Sequence, residues 1–412
     1  MTFVFFILSL ISLVCTYNVI YPRYRHPNWI VPSFLAGWLV GELAIHVVVA
    51  QLFIVFWFVF FGKVHGFLGA MGILLFVSSW LVLAYHYFSG FKAKVLLDSI
   101  VIPHRHEDDI STWSRHERLN IARLLLPFSS WKSDEVEVIK NIVYEDIDGF
   151  KLKLDIRRSK TECQNAPVLL QIHGGMWTHG YGSKKEQGIP LMVEMAERGW
   201  ISVAIDYRLC PAARFPAHII DCKKALVWVK EHIEAYGGDP NFIIVTGGSA
   251  GGHLASLLAL SANEPALQPG FEDKETTVQG CIPYYGIYDF MDQMKLQPSL
   301  ALEIALHKKV IMQSKEENEA IYRLMSPVTY LNENAPPFLV IHGDKDSLTP
   351  LAAAQYFASN LDEVSTNTVE FAEISGAQHA FDIFSSVRSD YVLFGVAERM
   401  CQWHRDYQHL QE

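Results

Sequence analysis

The stretch NFIIVTGGSAGGHLASLLALSA, residues 241–262, decides the fold because it joins two different hydrophobic patterns through a turn. It begins with a short apolar run, which is typical of a buried strand, and ends with apolar residues at helical spacing. Between them, four glycines surround Ser249. Glycine loses the most conformational freedom on folding, so this clustering indicates a sharp bend or a close approach to the backbone. We therefore expect a strand–turn–helix unit with Ser249 on the turn.

Short apolar runs alternate with helical segments from Val136 to the end of the chain. The first two runs, within residues 136–158, are joined by Asp148-Gly149, which is a hairpin signal. The later runs are APVLLQI, WISVAI, NFIIVTGG, CIPYYG, PPFLVIHGD and TVEFAEI, and a last helix is predicted near residues 390–405. This alternation predicts an α/β fold over residues 136–412, with a mostly parallel sheet and helices on both faces. Ligands of such sheets bind beyond the carboxyl ends of the strands, where Ser249 falls.

The first 91 residues have a different composition and contain only four residues that are charged at neutral pH: Arg23, Arg25, Glu42 and Lys63. Residues 1–21 and 66–88 each supply the roughly 20 apolar residues that a helix needs to cross a bilayer. Residues 29–61 are too long for one upright span and too short for two, so we predict one tilted or broken helix, interrupted near Gln51. The chain thus begins with an all-helical transmembrane region of about three helices over residues 1–91.

The predicted anchor is not a cleaved signal peptide, because residues 1–21 lack a basic start and an A-x-A-like cleavage site. With three spans, the basic loop YPRYRHPN at residues 21–28 and the segment KAK at residues 92–94 share a side. The positive-inside rule then places the C-terminal domain of this multi-pass protein in the cytoplasm. Glu42 and His46, four residues apart, either face a cavity or a partner helix, or are solvated at the membrane surface.

The remaining residues are acidic, with 31 basic and 43 acidic side chains and a net charge of about −12. Nucleic-acid binding needs basic clusters that neutralise phosphates, so we exclude it. Six scattered cysteines show neither a C-x-x-C pair nor metal-ligand spacing, and we predict no disulfide framework, metal or organic cofactor. Residues 92–135, which include HRHEDDISTWSRHERLN, are predicted to be a partly helical connector whose charges are solvated.

The order of polar residues after the predicted strands points to nucleophilic catalysis. A serine hydroxyl needs a base, usually histidine, oriented by a carboxylate, together with N–H donors for the developing oxyanion. In strand–turn–helix proteins of this kind the acid and then the histidine follow the serine. HGDKDSLTP offers Asp344 and Asp346, and GAQHAF offers His379. The N–H of Ala250 and the turn HGGM at residues 173–176 offer the donors.

Several motifs together resemble a known family: HGGM, DYRLCP, YGGDPNFIIVTGGSAGGHLA, YYGIYDF and HGDKD…QHAF. Over roughly residues 135–410 they are similar to the hormone-sensitive-lipase-type carboxylesterases of the α/β-hydrolase superfamily, with the closest likeness to bacterial membrane-anchored esterases that carry Gly-Gly-Ser-Ala-Gly-Gly. The resemblance implies that Ser249 is the nucleophile, Asp346 rather than Asp344 the triad acid, and His379 the base. It further implies that the backbone N–H groups of Gly174, Gly175 and Ala250 form the oxyanion hole. The residues that it implies as supports of the oxyanion loop are His173, Asp206, Tyr207 and Arg208.

Two departures from that family bear on the site. Met176 stands where many members have a third glycine, and its side chain should narrow one side of the site. Gly248 replaces an aspartate that often precedes the serine, which removes a nearby negative charge.

The resemblance implies a serine carboxylesterase or lipase that hydrolyses hydrophobic carboxylic esters through an acyl-enzyme. The substrate is then a small-molecule or lipid ester, and the acidic surface disfavours anionic ones. Three alternatives remain: a membrane-bound acyltransferase with the same triad, cleavage of an amide or peptide, and a non-catalytic ligand-binding protein, which an intact triad disfavours. The oligomeric state is left open. Residues 291–324, or residues before Val136, are candidates for a cap, although the Met, Leu and Ile of the insert fit ordinary core equally well.

Overall fold

A single mixed sheet carries the C-terminal part of the chain in the computed structural model, which describes residues 1–104, 119–127, 131–161 and 163–411. Within these residues, eight strands lie in the order β1-β2-β4-β3-β5-β6-β7-β8. They are β1 Val136–Ile147, β2 Phe150–Ser159, β3 Ala166–Ile172, β4 Ile201–Ile205, β5 Gly238–Gly248, β6 Gly280–Tyr284, β7 Phe338–Gly343 and β8 Val369–Ile374. β1 pairs antiparallel with β2, and β2 with β4, whereas all other pairs are parallel. The mostly parallel sheet is confirmed.

The predicted hairpin between the first two strands is also confirmed. Ile147 pairs with Phe150, so Asp148 and Gly149 form a two-residue turn. Both turn residues have positive φ, 52° and 85°. This is the backbone that an Asp-Gly hairpin turn adopts, because Asp tolerates and Gly favours the left-handed region.

Helices cover both faces of the sheet, as the alternating pattern predicts. The helices of the described residues are α1 Thr2–Ile20, α2 Pro27–Glu42, α3 Ala44–Phe60, α4 Gly66–Ser89, α5 Lys92–Val101, α6 Ile121–Leu125, α7 Ile189–Glu197, α8 Ala217–His232, α9 Ala250–Leu260, α10 Ala301–Ala305, α11 Glu319–Leu324, α12 Leu351–Val364 and α13 Val387–Gln411. One core cluster packs α8, α9 and α12 on one face, and a second packs α5, α7 and α13 on the other. The last helix is longer than residues 390–405: at its start the buried Val387 extends the face that packs on the core, whereas its last residues, 406–411, are mostly exposed.

The N-terminal helices are candidates for membrane spans by length and composition alone. α1, and α4 together with the helical turns after it, are each long and apolar enough to cross a bilayer. α2 and α3 meet at an angle of 88°, so they add a third span at most, if the bent pair counts as one. The bend lies at Leu43, and the interruption predicted near Gln51 is wrong. Gln51 is buried inside α3, where its side-chain oxygen accepts a hydrogen bond from Ser79 at 3.2 Å, so nothing polar there breaks the helix.

α1, α3 and α4 pack side by side, and α2 lies at the end of this bundle nearest the sheet. At the far end Thr2 donates to the carbonyl of Lys63 at 2.8 Å. At the near end the Asn18 side chain of α1 donates to the carbonyl of Ser33 in α2 at 2.7 Å. In α2, the Trp38 indole donates to the carbonyl of Ala380, next to the sheet, at 2.9 Å. The bundle therefore meets the sheet domain through α2, and also through the end of α4, where Ser89 accepts a hydrogen bond from Arg388 at 3.3 Å.

Glu42 and His46 do not share a helical face, because the bend at Leu43 puts them on different helices. Glu42 is buried and pairs with Arg388 of α13 at 3.2 Å. His46 bonds through Nε2 to the carbonyl of Leu125 at 3.1 Å. The prediction that Glu42 is solvated at a membrane surface is wrong. Glu42 does contact a partner helix, and this helix is α13 of the sheet domain.

The connector after the bundle begins as part of the sheet domain. Leu97 of α5 packs on Gly395 of α13, where an added Cβ would lie 2.5 Å from the Cβ of Leu97. The Gln402 amide also donates to the carbonyl of Val101 at 2.9 Å. Residues 105–118 and 128–130 of the predicted connector, including half of its charged side chains, lie outside the described residues.

The insert of residues 291–324 contributes to the core, which is one of the two structures that its Met, Leu and Ile residues predict. Leu306, Val310 and Ile311 are buried in the larger core cluster. Met294 and Leu300 of the same insert are exposed.

Candidate active site

Ser249 occupies a strained turn between β5 and α9, as expected. Its φ of 58° and ψ of −119° lie in a region that non-glycine residues rarely adopt. The glycines on either side allow the turn to pack against neighbouring backbone. A Cβ on Gly247 would lie 2.5 Å from the carbonyl oxygen of Ile172, and a Cβ on Gly252 would lie 2.7 Å from that of Tyr284. The four glycines are thus explained by close approach of the chain as well as by the bend.

Asp346, and not Asp344, lies beside the predicted base. Asp346 Oδ2 and His379 Nδ1 are 2.7 Å apart, and the two residues are only 6% and 4% exposed. Asp344 instead accepts the N–H of Gly376 at 2.6 Å and stabilises a turn. With Nδ1 donating to Asp346, a neutral imidazole keeps Nε2 as an acceptor for a proton.

Asp346 is held as a carboxylate by its neighbours. Its Oδ1 accepts the N–H groups of Leu348 and Thr349, each at 2.8 Å, and its Oδ2 accepts the Thr349 hydroxyl at 2.8 Å. Burial by itself raises the pKa of Asp346, but the attraction of His379, the hydrogen bonds and His342 outweigh it and lower the pKa. Asp346 can therefore orient His379 and stabilise its protonated form.

The three triad candidates follow three parallel strands, so they lie along the same edge of the sheet. Ser249 follows β5, Asp346 follows β7 and His379 follows β8. Ser249 Oγ forms no hydrogen bond with the His379 ring within the described residues. Contacts between a nucleophile and its base are often long before substrate binds, and rotation of the serine side chain can shorten them.

The backbone N–H groups of the turn HGGM differ in whether they already donate a hydrogen bond. The Gly174 N–H donates to Gln187 Oε1 at 2.5 Å and is occupied in this structure. In the part of the chain that the structure describes, the N–H groups of Gly175, Met176 and Ala250 have no acceptor. Gly175 and Ala250 are thus available to an oxyanion, whereas Gly174 remains a prediction that requires Gln187 to move away.

Two supporting residues hold the HGGM turn directly. The His173 ring stacks on Tyr207 with centroids 4.5 Å apart, and the Tyr207 hydroxyl donates to the carbonyl of His173 at 2.9 Å. His173 Nδ1 also bonds to the Gly174 carbonyl at 2.7 Å. Burial lowers the pKa of His173, so this ring is neutral and structural.

The other two supporting residues fix the loop after β4. Asp206 lies 3.1 Å from Lys184, which also pairs with Asp155 at 3.1 Å. Arg208 forms a two-pronged pair with Asp221 of α8, at 2.8 and 2.7 Å. Because Tyr207 lies between Asp206 and Arg208 in the chain, these two ion pairs fix its position.

Sequence reasoning missed Tyr285, which contacts both ends of the site. Its ring lies 4.6 Å from that of His379, and its hydroxyl donates to Asp382. A Cβ on Gly248 would lie 2.7 Å from that hydroxyl, so Tyr285 requires the glycine that stands before Ser249. Through the Tyr285 hydroxyl, Asp382 thus places a carboxylate close to Gly248. The tyrosine was visible in the motif YYGIYDF, but nothing in the pattern indicated its contacts.

Sequence reasoning also missed Phe34 and Trp38 of α2, which lie against the histidine loop. The Phe34 ring packs edge-on to His379, with centroids 6.1 Å apart. Trp38 stacks on Phe384 at 4.7 Å. No local signal could have linked these residues to a loop some 340 positions later in the chain.

A small cavity of about 30 Å³ lies behind the serine turn and is distinct from the triad. It is bordered by Gly247, Gly248, Asp382 and Asp390, and none of the triad candidates lines it. Burial raises the pKa of Asp390 to about 6. No group of three or more His, Cys, Asp or Glu side chains in the described ranges is arranged to hold a metal ion.

A strained serine turn at the carboxyl edge of a mostly parallel sheet is characteristic of the α/β-hydrolase fold. Solved structures of similar fold support this class. The propionate-bound esterase Est2 of Thermogutta terrifontis superposes with a TM-score of 0.52 and 24% identity, over 65% of this chain and 92% of that one. The sequence profile named BD-FAE matches residues 154–361, which is half of the chain. The chain belongs to the BD-FAE family.

Two relatives from Mycobacterium tuberculosis (strain ATCC 25618 / H37Rv) are more similar in sequence. A probable carboxylic ester hydrolase, LipM, is 48% identical over 237 residues, which cover 58% of this chain and 54% of LipM. The esterase LipQ is 45% identical over 236 residues, which cover 57% of this chain and 55% of LipQ. The chain therefore spans about half the length of these relatives.

Proposed function

We propose that this protein is a serine hydrolase that cleaves carboxylic esters. The observation that carries the proposal is the 2.7 Å contact between Asp346 and His379 Nδ1, at the sheet edge that also presents Ser249 on a strained turn. The names of LipM and LipQ support an ester as the substrate. No feature of the described residues favours acyl transfer to an alcohol or a purely binding role.

In the proposed mechanism His379 Nε2 takes the proton of Ser249 Oγ as this oxygen attacks the ester carbonyl. The developing oxyanion accepts hydrogen bonds from the free N–H groups of Gly175 and Ala250, and also from Gly174 if Gln187 moves away. His379 then gives its proton to the leaving alcohol, which leaves an acyl-enzyme on Ser249. Water activated by the same histidine releases the acid and restores the serine.

We also propose that α1, the bent pair α2–α3 and α4 lie in a bilayer as three spans, with the sheet domain in the cytoplasm. The apolar surface of these helices and the basic residues at 23, 25, 92 and 94 support this placement. In a chain whose partly exposed cysteines, Cys15, Cys163 and Cys401, are replaced by serine, Lys63→Cys and Lys274→Cys can be tested with a membrane-impermeant thiol reagent in sealed vesicles. We expect the two positions to be labelled from opposite sides, and labelling from the same side would contradict the topology.

The function is tested with the detergent-solubilised full chain and Ser249→Ala. We expect wild type to hydrolyse p-nitrophenyl esters and the variant to lose a factor of about 10⁴–10⁶ in kcat. A fluorophosphonate probe should label wild type at Ser249 and leave the variant unlabelled. Labelling without turnover would mean that the nucleophile is right and the substrate class wrong. Neither labelling nor turnover in folded protein would refute the proposal.

A further inference from the structure

One side of α2 forms a wall next to the candidate catalytic histidine. Phe34 packs edge-on to the His379 ring at 6.1 Å, with the ring planes 78° apart. One turn later, the Trp38 indole donates to the carbonyl of Ala380, the residue after the histidine, at 2.9 Å. Between them, a Cβ on Gly37 would lie only 2.8 Å from the side-chain amide of Gln378. The backbone of α2 is thus in close contact with the histidine loop.

The contact is fixed from the far end of the helix as well. Glu42, the last residue of α2, pairs with Arg388 at 3.2 Å, and both side chains are at most 3% exposed. The Ser386 hydroxyl donates to the same carboxylate at 3.2 Å. Residues 34, 38 and 42 recur every four positions, so a single stripe of α2 faces the sheet domain.

The neighbouring stripe of α2 is apolar and uncovered. Val31, Leu35 and Leu39 also recur every four positions and are 57%, 43% and 42% exposed. Beyond the bend at Leu43, α3 also carries uncovered apolar side chains, and its Phe56 and Phe60 are more than 60% exposed. A helix of this kind, lying across the end of helices long enough to cross a bilayer, rests in the membrane interface with its apolar side towards the lipid.

We propose that α2 is the entry wall of the active site and that the substrate is a membrane-resident carboxylic ester. In this arrangement the long apolar chain of the substrate stays in the bilayer beside Leu35 and Leu39, while its ester group passes Phe34 to reach Ser249. Leaving the chain among lipid avoids exposing its methylene groups to water. Met176 of the oxyanion loop, 37% exposed, adds apolar surface at the site. The proposal rests on the serine esterase function proposed above.

The first test compares two esters presented to the full chain in phosphatidylcholine vesicles, p-nitrophenyl acetate in the water and p-nitrophenyl palmitate in the bilayer. We expect Phe34→Ala to lower kcat/KM for the palmitate about tenfold, the scale of losing one well-packed aromatic contact, and to change the acetate much less. Phe34→Leu should retain most of the palmitate activity, because it keeps an apolar side chain.

Phe53→Ala is the matched control, because Phe53 is an exposed phenylalanine of α3 whose ring contact is with Trp57, away from the site. It should leave both activities unchanged. Equal losses for both esters in Phe34→Ala would make Phe34 a support for His379 and overturn the proposal, as would no loss for either ester. If a fluorophosphonate does not label Ser249 in the folded wild-type protein, the esterase function itself is refuted instead.

A second measurement does not depend on a variant that folds. A fluorophosphonate with a long alkyl chain and a terminal diazirine is attached to Ser249 in vesicles and then photoactivated. We expect cross-links to residues 27–42 or to lipid. Cross-links confined to the insert of residues 291–324 would overturn the proposal, because the chain would then lie within the sheet domain.

Discussion

The buried pair between Glu42 and Arg388 joins the N-terminal bundle to the sheet domain, and Arg388→Met should lower the free energy of unfolding by about 3–5 kcal/mol. Two unit charges 3.2 Å apart attract by about 5 kcal/mol at an effective dielectric constant of about 20. Removing Arg388 leaves a buried carboxylate whose remaining side-chain donor is Ser386, at 3.2 Å. Glu42→Gln should cost less, about 1–2 kcal/mol, because the guanidinium keeps an acceptor there and still donates to the carbonyl of Ser375 at 2.9 Å.

The assay is guanidinium-induced unfolding in detergent, followed by tryptophan fluorescence. The double variant completes a thermodynamic cycle, and we expect a coupling of at least about 1.5 kcal/mol between the two positions. Arg323→Met is the control. Arg323 pairs with Glu319 at 2.6 Å, but both side chains are about half exposed, so the loss should stay below about 1 kcal/mol. If Arg388→Met costs no more than this control, or if the two changes add, the pair does not join the two parts.

Three further predictions concern single sites. Asp346→Asn should lower kcat by about 10⁴ because the histidine loses its orienting carboxylate, whereas Asp344→Asn should have little effect; equal losses in a p-nitrophenyl butyrate assay would contradict the assignment. Gly248→Ala should destabilise the fold by about 1–3 kcal/mol, because its Cβ would lie 2.7 Å from the Tyr285 hydroxyl. Adding Tyr285→Phe to this variant should restore part of the lost denaturant midpoint of unfolding. Burial lowers the pKa of Lys223 from 10.5 to about 7. Between these two pH values the unfolded chain binds one more proton than the folded chain, so the free energy of unfolding rises with pH, by up to about 1.4 kcal/mol per pH unit. Lys223→Met should flatten that rise in unfolding midpoints measured from pH 7 to 10, and an unchanged slope would show that Lys223 is not responsible.

The serine turn and the strands were predictable because their signals are local. An apolar run, clustered glycines and a helical pattern sit within 22 residues around Ser249, and the structure follows that order. The choice between Asp344 and Asp346 needed the family resemblance, because both follow the same strand. Only the folded loop shows that Asp344 bonds to Gly376 while Asp346 meets His379.

The contacts that escaped prediction are those between distant segments. Phe34 and Trp38 lie in an apolar stretch, and nothing in the sequence distinguishes a ring that faces lipid from one that faces a protein loop. The bend at Leu43 was misplaced for a related reason. Gln51 was the polar residue in the middle of the stretch, yet its amide is satisfied by Ser79, whereas the real bend lies next to a glutamate bound by Arg388.

The packing of α5 on α13 has a consequence for how the molecule divides. Composition changes at residue 91, yet Ala93 and Leu97 immediately after it belong to the core beneath the sheet. Because Leu97 fills the space that Gly395 leaves open, a soluble fragment that begins after residue 104 would carry an empty groove along its last helix. The core of the sheet domain therefore includes α5, and we expect the shortest fragment that keeps this core intact to begin near Lys92.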